Sequence, residues 1–210
     1  RCISRWQLTG QMEQLQRNRM TLTEPQSGSS EHFAKMMDSY SREIREGSGS
    51  ALLLAVFRGK VSEGMDLADD MCRAVCVVGV PFPFLGDATI KEKREYNDRM
   101  RVERACLSGS EWYTLQAFRA VNQAIGRAIR HVHDWGCVFF LDSRYAQRQS
   151  VKRLPKWMRQ HVRQFPTLPL ALQDCRQFYT GHTATSRPAP AALPFFNSNS
   201  NSDSAIQLQL

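Results

Sequence analysis

Two groups of side chains stand at spacings that could serve a phosphate. The first is Gln123, Gly126, Arg127 and Arg130, within the stretch Gln116–His133, QAFRAVNQAIGRAIRHVH. Read as a helix at about 100° per residue, Gln123, Arg127 and Arg130 fall within roughly 60° of one another. Arginine suits phosphate because its planar fork bonds bidentately and keeps its charge. Gly126 leaves the backbone open to close approach. The second group is the stretch Arg58–Asp70, RGKVSEGMDLADD, where Arg58, Lys60, Ser62, Glu63 and Asp66 surround Gly59 and Gly64. Glycines after a buried strand let backbone N–H groups near a ligand. Ser62 and Lys60 can donate to phosphates, and Asp66 can accept from a ribose hydroxyl. Each group also has a plainer reading, as a solvated arginine face and as one βα loop among many.

The elements around these residues must hold them in place. Phe118, Val121, Ile125, Ile129 and Val132 recur at helical steps and predict a buried stripe opposite the arginines. Ala51–Phe57 (ALLLAVF), Ala74–Val80 (AVCVVGV) and Cys137–Leu141 (CVFFL) are continuous apolar runs bounded by turn signals, the pattern of strands covered on both faces. Helices are predicted over Arg1–Arg19, Glu31–Glu46 with Ser30 as N-cap, Ala88–Arg104 and Leu168–Tyr179, with a short strand at Met20–Glu24. Strands alternating with helices imply right-handed crossovers and a three-layer α/β sheet. In such sheets ligands usually sit at the carboxyl ends of strands, where Arg58–Asp70 and Asp142–Arg144 are placed.

The chain has 210 residues, enough for one sizeable core, and 42% are hydrophobic. A net charge of +8 favours an acidic partner such as nucleic acid, and also fits a ribosomal or membrane-surface role. From Ser143 to Gln173 there is no acidic residue, while Arg144, Arg148, Lys152, Arg153, Lys156, Arg159 and Arg163 are interleaved with Trp157 and His161. That run suits a nucleic-acid backbone, and equally a solvated helix packed by Leu154, Trp157, Met158 and Val162. Cys2, Cys72, Cys76, Cys106, Cys137 and Cys175 show no CxxC pair and no zinc spacing, so no metal ligands are assigned and buried free thiols are expected. No apolar run reaches the roughly 18 residues of a membrane span. The stretch from Gly181 to Leu210 is rich in Pro, Ala, Ser and Asn, which predicts disorder. The chain starts at Arg1 and its first methionine is Met12, so a piece of a longer protein is expected.

The order of the segments FRGKVSEGMDLADD, GVPFP, QAIGRAIRHVHDWG and LPKWMRQHV is more specific than any one of them. It resembles the second motor lobe of the XPD-like superfamily 2 DNA helicases. RGKVSEGMD resembles helicase motif V, and Gln123-x-x-Gly126-Arg127-x-x-Arg130 resembles motif VI. Within that group, SGSEWYTLQAFRAVNQAIGRAIRH and the EPQ at Glu24 are most similar to the regulator of telomere elongation helicases. The Fanconi anaemia group J helicases come next. The resemblance runs from about Arg1 to Tyr179.

It implies a RecA-like lobe of the P-loop NTPase superfamily over residues 1–180, short at its start, followed by a disordered tail over 181–210. Such a lobe closes on an N-terminal motor lobe with ATP and Mg²⁺ between them. By that likeness Arg127 and Arg130 are the catalytic arginine fingers and Gln123, with Gly126, senses the nucleotide. Glu63, Gly64 and Asp66 couple nucleotide to DNA, and Arg58, Lys60 and Ser62 face the nucleic acid. Single-stranded or forked DNA is the implied partner, 5′ to 3′ movement the implied polarity and the nucleus the implied location. The sequence also departs from the whole-enzyme pattern. It has no GxxxxGK[ST] loop and no Asp-Glu-x-His box, and none of its six cysteines has the spacing of the family's iron–sulfur ligands, which the likeness places in the other lobe. Half an active site is therefore expected, inactive alone. A non-enzymatic nucleic-acid-binding module and an inactive gene fragment are the alternatives.

Overall fold

A single glycine divides what reads as one N-terminal helix. Gly10 takes a left-handed φ of 73°, and the chain forms α1 (Cys2–Leu8) and α2 (Gln11–Asn18) on either side of it. The structure is a computed structural model and describes residues 2–25, 29–183 and 206–209. It divides into two compact units, Arg1–Asp66 and Leu67–Leu210.

In the first unit α2 leads into β1 (Met20–Thr23), then α3 (Ser30–Glu46), β2 (Ala51–Leu54) and the short α4 (Lys60–Gly64). The cap of α3 is Ser29 rather than Ser30, its side chain accepting from His32 N. Met37 and Tyr40 bury the inner side of that helix. β1 and β2 pair in parallel, Met20 opposite Ala51 and Thr23 opposite Leu54. The apolar run from Ala51 to Phe57 thus yields a strand of four residues, all half-buried.

The second unit contains β3 (Ala74–Val78), α5 (Ala88–Met100), α6 (Gly109–Ala128), β4 (Cys137–Leu141), α7 (Arg148–Val151), α8 (Lys156–Arg159), β5 (Val162–Phe165), α9 (Leu168–Thr183) and β6 (Ile206–Gln209). β3 and β4 are parallel, Ala74 opposite Cys137 and Val78 opposite Leu141. β6 lies between β4 and β5, antiparallel to both. Two parts of the predicted disordered tail therefore have regular structure, the end of α9 and β6. The residues between them, and Leu210, lie outside the described residues.

β4 is the best-buried strand. Val138 and Phe140 are 1% and 0% exposed, and Phe140 meets Tyr145 with ring centroids 4.6 Å apart, with Phe118 of α6 5.9 Å from Tyr145. The alternate residues Cys137 and Phe139 pack with Ala171 and Cys175 of α9. Helices thus cover both alternating sets of β4 side chains. β3 is different, with Ala74, Cys76 and Val78 exposed among the described residues, so the expectation of a strand covered on both faces fails there.

The basic run after β4 is neither one helix nor wholly solvated. Leu154 and Met158 are buried, Trp157 is half exposed, and Val162 starts β5. All six cysteines are free thiols, and only Cys137 and Cys175 are buried. No helix among the described residues is long and apolar enough to cross a membrane.

Candidate functional site

α6 carries the arginine group, and its sequence explains where it starts. Ser108 and Glu111 form a reciprocal capping box: the Ser108 hydroxyl accepts from Glu111 N at 3.2 Å, and the Glu111 carboxylate accepts from Ser108 N at 3.0 Å. The Ser108 hydroxyl, donating at 2.6 Å, and then the Ser108 N–H hold the Glu111 carboxyl below its ordinary range. The helix thus begins at Gly109, seven residues before the apolar periodicity predicts, and the S-x-x-E signature was legible. Gly109 is obligatory, because a Cβ there would stand 2.4 Å from the Arg94 carbonyl oxygen of α5.

The far end also moves. α6 stops at Ala128, Ile129 is extended with φ −119° and ψ 101°, and Arg130 to His133 lie outside the helix. Phe118, Val121 and Ile125 form the buried stripe as predicted, Ile129 is only half-buried and Val132 is 89% exposed. The helical projection of Arg130 therefore does not apply. Its backbone N–H donates to the Asp134 carboxylate at 3.0 Å and its guanidinium to the Gly126 carbonyl at 3.2 Å. Gln123 and Arg130 are exposed, and Gly126 and Arg127 are half-buried. Open space surrounds the position of a Cβ at Gly126.

Asp134 is the residue that sequence reasoning missed. Its side chain is fully buried and bridges the Arg73 guanidinium at 3.0 Å. It accepts from Arg130 N and, at 2.9 Å, from Trp135 N. Arg73 also donates to the Trp135 carbonyl at 2.8 Å and lies 4.4 Å over the Trp135 ring. A buried carboxylate persists only when paired and hydrogen-bonded, and here every such partner fixes the turn that carries Arg130. The signal available in the sequence was an acidic residue just past a basic helix end. Asp69, His131 and Asp134 bring their ligand atoms within 4.8 Å of one another, a span that one cation could bridge. Arg73 on Asp134, and His131 within 3.1 Å of Asp69, already occupy these groups.

The direction of the strands decides which edge of the sheet the arginines occupy. α6 lies between two parallel strands in the chain, so it runs back against them and ends where β3 and β4 begin. Leu67 N donates to the Arg127 carbonyl at 3.0 Å, and Cys137 N to the Arg73 carbonyl at 2.9 Å. The arginines therefore belong to the starting edge of these strands, whereas the usual ligand rule points to the finishing edge.

In the first unit the stretch predicted as a loop contains α4. Glu24 organises it. This carboxylate is 6% exposed and accepts from Val56 N at 3.0 Å and Val61 N at 3.1 Å. Arg58 takes a left-handed φ of 62°, and a Cβ at Gly59 would stand 2.6 Å from the Glu24 carboxylate. Arg58, Lys60, Gly64 and Asp66 are exposed, and Lys60 Nζ lies 5.6 Å from the Phe33 ring centre. Ser62 is buried and its hydroxyl donates to the Gly59 carbonyl at 3.0 Å. The Glu63 side chain lies outside the described residues. Glu24→Gln leaves either the buried Val61 N–H or the part-buried Val56 N–H facing an amide donor, so chemical denaturation should show a loss of about 1–3 kcal/mol. An unchanged midpoint would show that Glu24 does not hold the loop.

Residues 1–161 match the helicase C-terminal domain family. The chain belongs to that family. This helicase C-terminal domain is 41% identical over 179 residues to the Fanconi anemia group J protein homolog of Gallus gallus, covering 83% of this chain and 14% of that protein. It is 40% identical over 192 residues to the regulator of telomere elongation helicase 1 homolog of Drosophila melanogaster, covering 89% of this chain and 19% of the relative. Against regulator of telomere elongation helicase 1 of Rattus norvegicus it is 38% identical over 194 residues, covering 90% and 15% respectively. The helicase C-terminal domain thus spans less than a fifth of the length of each of these relatives. The expected helicase resemblance thus holds for the family and these relatives, and the small parallel sheets with their helices are consistent with a RecA-like lobe.

Proposed function

We propose that this chain is the C-terminal motor lobe of an ATP-dependent DNA helicase, a RecA-like three-layer lobe that works against an N-terminal lobe carrying the phosphate-binding loop. The observation that carries this reading is the arginine pair of motif VI, two guanidiniums outside the core of a helicase C-terminal domain, one of them on a turn pinned by a buried carboxylate. That donor set fits ATP, since fixed, permanently charged forks suit the terminal phosphate of a triphosphate. ATP with Mg²⁺ supplies the phosphoanhydride whose cleavage drives movement. Arg127 and Arg130 neutralise charge that spreads over the transferred phosphoryl group. Gln123 stands on α6 with Arg127 and senses nucleotide, and Asp134 keeps Arg130 in register on the turn beyond the helix. In the first unit, Arg58 and Lys60 are assigned to the DNA backbone, and Glu63, Gly64 and Asp66 to nucleotide coupling. The polarity is 5′ to 3′ and the place of action the nucleus, in DNA repair or telomere maintenance.

The 210-residue chain alone contains no GxxxxGK[ST] loop. Purified with single-stranded DNA and ATP, it should release phosphate at no more than background rate. Turnover well above background would mean that the chain holds a complete site and that the division of labour is wrong. Net charge and the acid-free basic run favour a second reading, a nucleic-acid-binding module without an engine. DNA affinity with a steep salt slope, indifferent to ATP in the intact protein, would select that reading.

A further inference from the structure

The loop after β3, GVPFPFLGD, has no role in the reading above, yet it carries Phe84, an aromatic ring 80% exposed. A lone exposed apolar side chain is ordinary. What sets Phe84 apart is how firmly it is held. Pro81 and Pro83 fix the backbone on both sides of Phe82. Phe82 N donates to the Val80 carbonyl at 2.8 Å, Asp87 N to the Phe84 carbonyl at 3.2 Å, and the Tyr113 hydroxyl to the Pro83 carbonyl at 2.7 Å. Phe82 stacks on Tyr113 with centroids 5.1 Å apart and an interplanar angle of 18°. Phe84 itself lies against Gly86, where a Cβ would stand 2.3 Å from the ring. The ring is thus placed before anything binds, which removes an ordering cost from binding.

Cations surround this ring system. The Arg94 guanidinium lies 5.0 Å over the Tyr113 ring and that of Arg144 lies 5.6 Å over Phe82. The Nε of Arg94 is buried without a hydrogen-bond partner among the described residues. β4 is parallel to β3, so the segment that follows β4 rises on the same edge as the Phe84 loop. That segment presents exposed Arg144, Arg148 and Lys152. The nearby carboxylates are engaged locally: Asp142 pairs with Arg144 at 2.6 Å, Asp87 caps α5 by accepting from Thr89 N at 2.8 Å, and Asp98 accepts from Gly109 N at 2.7 Å. A preset aromatic face beside a row of cations matches a ligand that alternates flat rings with phosphates.

The geometry points to Phe84 as a stacking platform for a base of single-stranded DNA, with Arg148 and Lys152 facing the flanking phosphates. The assignment rests on the DNA-helicase reading and adds a site to it. The platform stands on the edge where β3 and β4 finish, opposite the edge where α6 delivers its arginines, so base contact and nucleotide contact need not compete for space.

The test is binding of labelled oligothymidine to the 210-residue chain at low salt. Stacking on one aromatic side chain is worth about fivefold to a hundredfold in affinity. Phe84→Ala should weaken binding by that factor without changing the salt slope, because the lost contact is not ionic. Phe84→Trp should keep wild-type affinity, and Gly86→Ala should weaken binding by displacing the ring. Arg148→Ala with Lys152→Ala should lower the salt slope instead. An oligonucleotide carrying 5-iododeoxyuridine should form its ultraviolet adduct at Phe84. If Phe84→Ala binds as wild type while the salt-dependent affinity persists, or if adducts form only elsewhere, the platform is wrong and the DNA reading stands. Failure of the wild-type chain to bind DNA at all would overturn the platform, while phosphate release by the intact protein decides the helicase reading separately.

Discussion

If the proposed finger assignment holds, Arg127→Ala or Arg130→Ala in the intact protein lowers ATP turnover about 10³-fold or more while leaving affinity for single-stranded DNA nearly unchanged. On the proposed finger assignment the loss falls on turnover, because a finger meets charge that grows only as the phosphoryl group moves. Lysine should not rescue either position, since a point charge cannot reproduce the planar fork. At Arg130 lysine also lacks the fork that donates to the Gly126 carbonyl. Steady-state phosphate release and DNA anisotropy on the same preparations separate the two effects. Turnover that survives both substitutions would remove the finger assignment.

Asp134→Ala should be the most damaging substitution for the stability of this chain, costing about 3–5 kcal/mol. It removes a fully buried carboxylate from the Arg73 guanidinium at 3.0 Å and orphans the backbone N–H groups of Arg130 and Trp135. Arg73 is itself largely buried, and its remaining bonds to the Trp135 carbonyl and Asp70 do not replace the lost countercharge. Asp134→Asn should cost less, because the amide oxygen can still accept. Urea denaturation of the two variants gives the comparison, and equal midpoints for both and for the wild type would show that the turn stands without this carboxylate. Introduced into the intact helicase, Asp134→Asn should lower turnover more than DNA affinity if Asp134 works by holding Arg130. Equal losses of both would mark a general structural role instead.

Much of this was legible without coordinates. Local propensity and periodicity placed α3, β1, β3 and β4 within a few residues, and the stripe Phe118, Val121 and Ile125 reads directly from spacing, because a buried helix face repeats every turn. The strings that resemble motifs V and VI point to the helicase C-terminal domain family, which the match over residues 1–161 shows. The S-x-x-E box at Ser108 also announces the start of α6.

Three things needed the tertiary structure. Periodicity continues through Ile129 and Val132, yet α6 ends at Ala128, where Leu67 takes up the Arg127 carbonyl and Asp134 holds the Arg130 N–H. Both partners come from outside the helix, so no window along it could show them. Glu24 reads as a residue beside a proline, and only a bond spanning 32 residues to Val56 N and another to Val61 N reveal that it shapes the motif V segment. The edge on which the arginines sit follows from strand direction, which is a property of pairing and not of any one strand. Sequence nominated the residues proposed for chemistry and placed the chain in its family, because both depend on side-chain type and spacing. The fold decided where each one points, because contacts distant in the chain set the ends of helices and the order of strands.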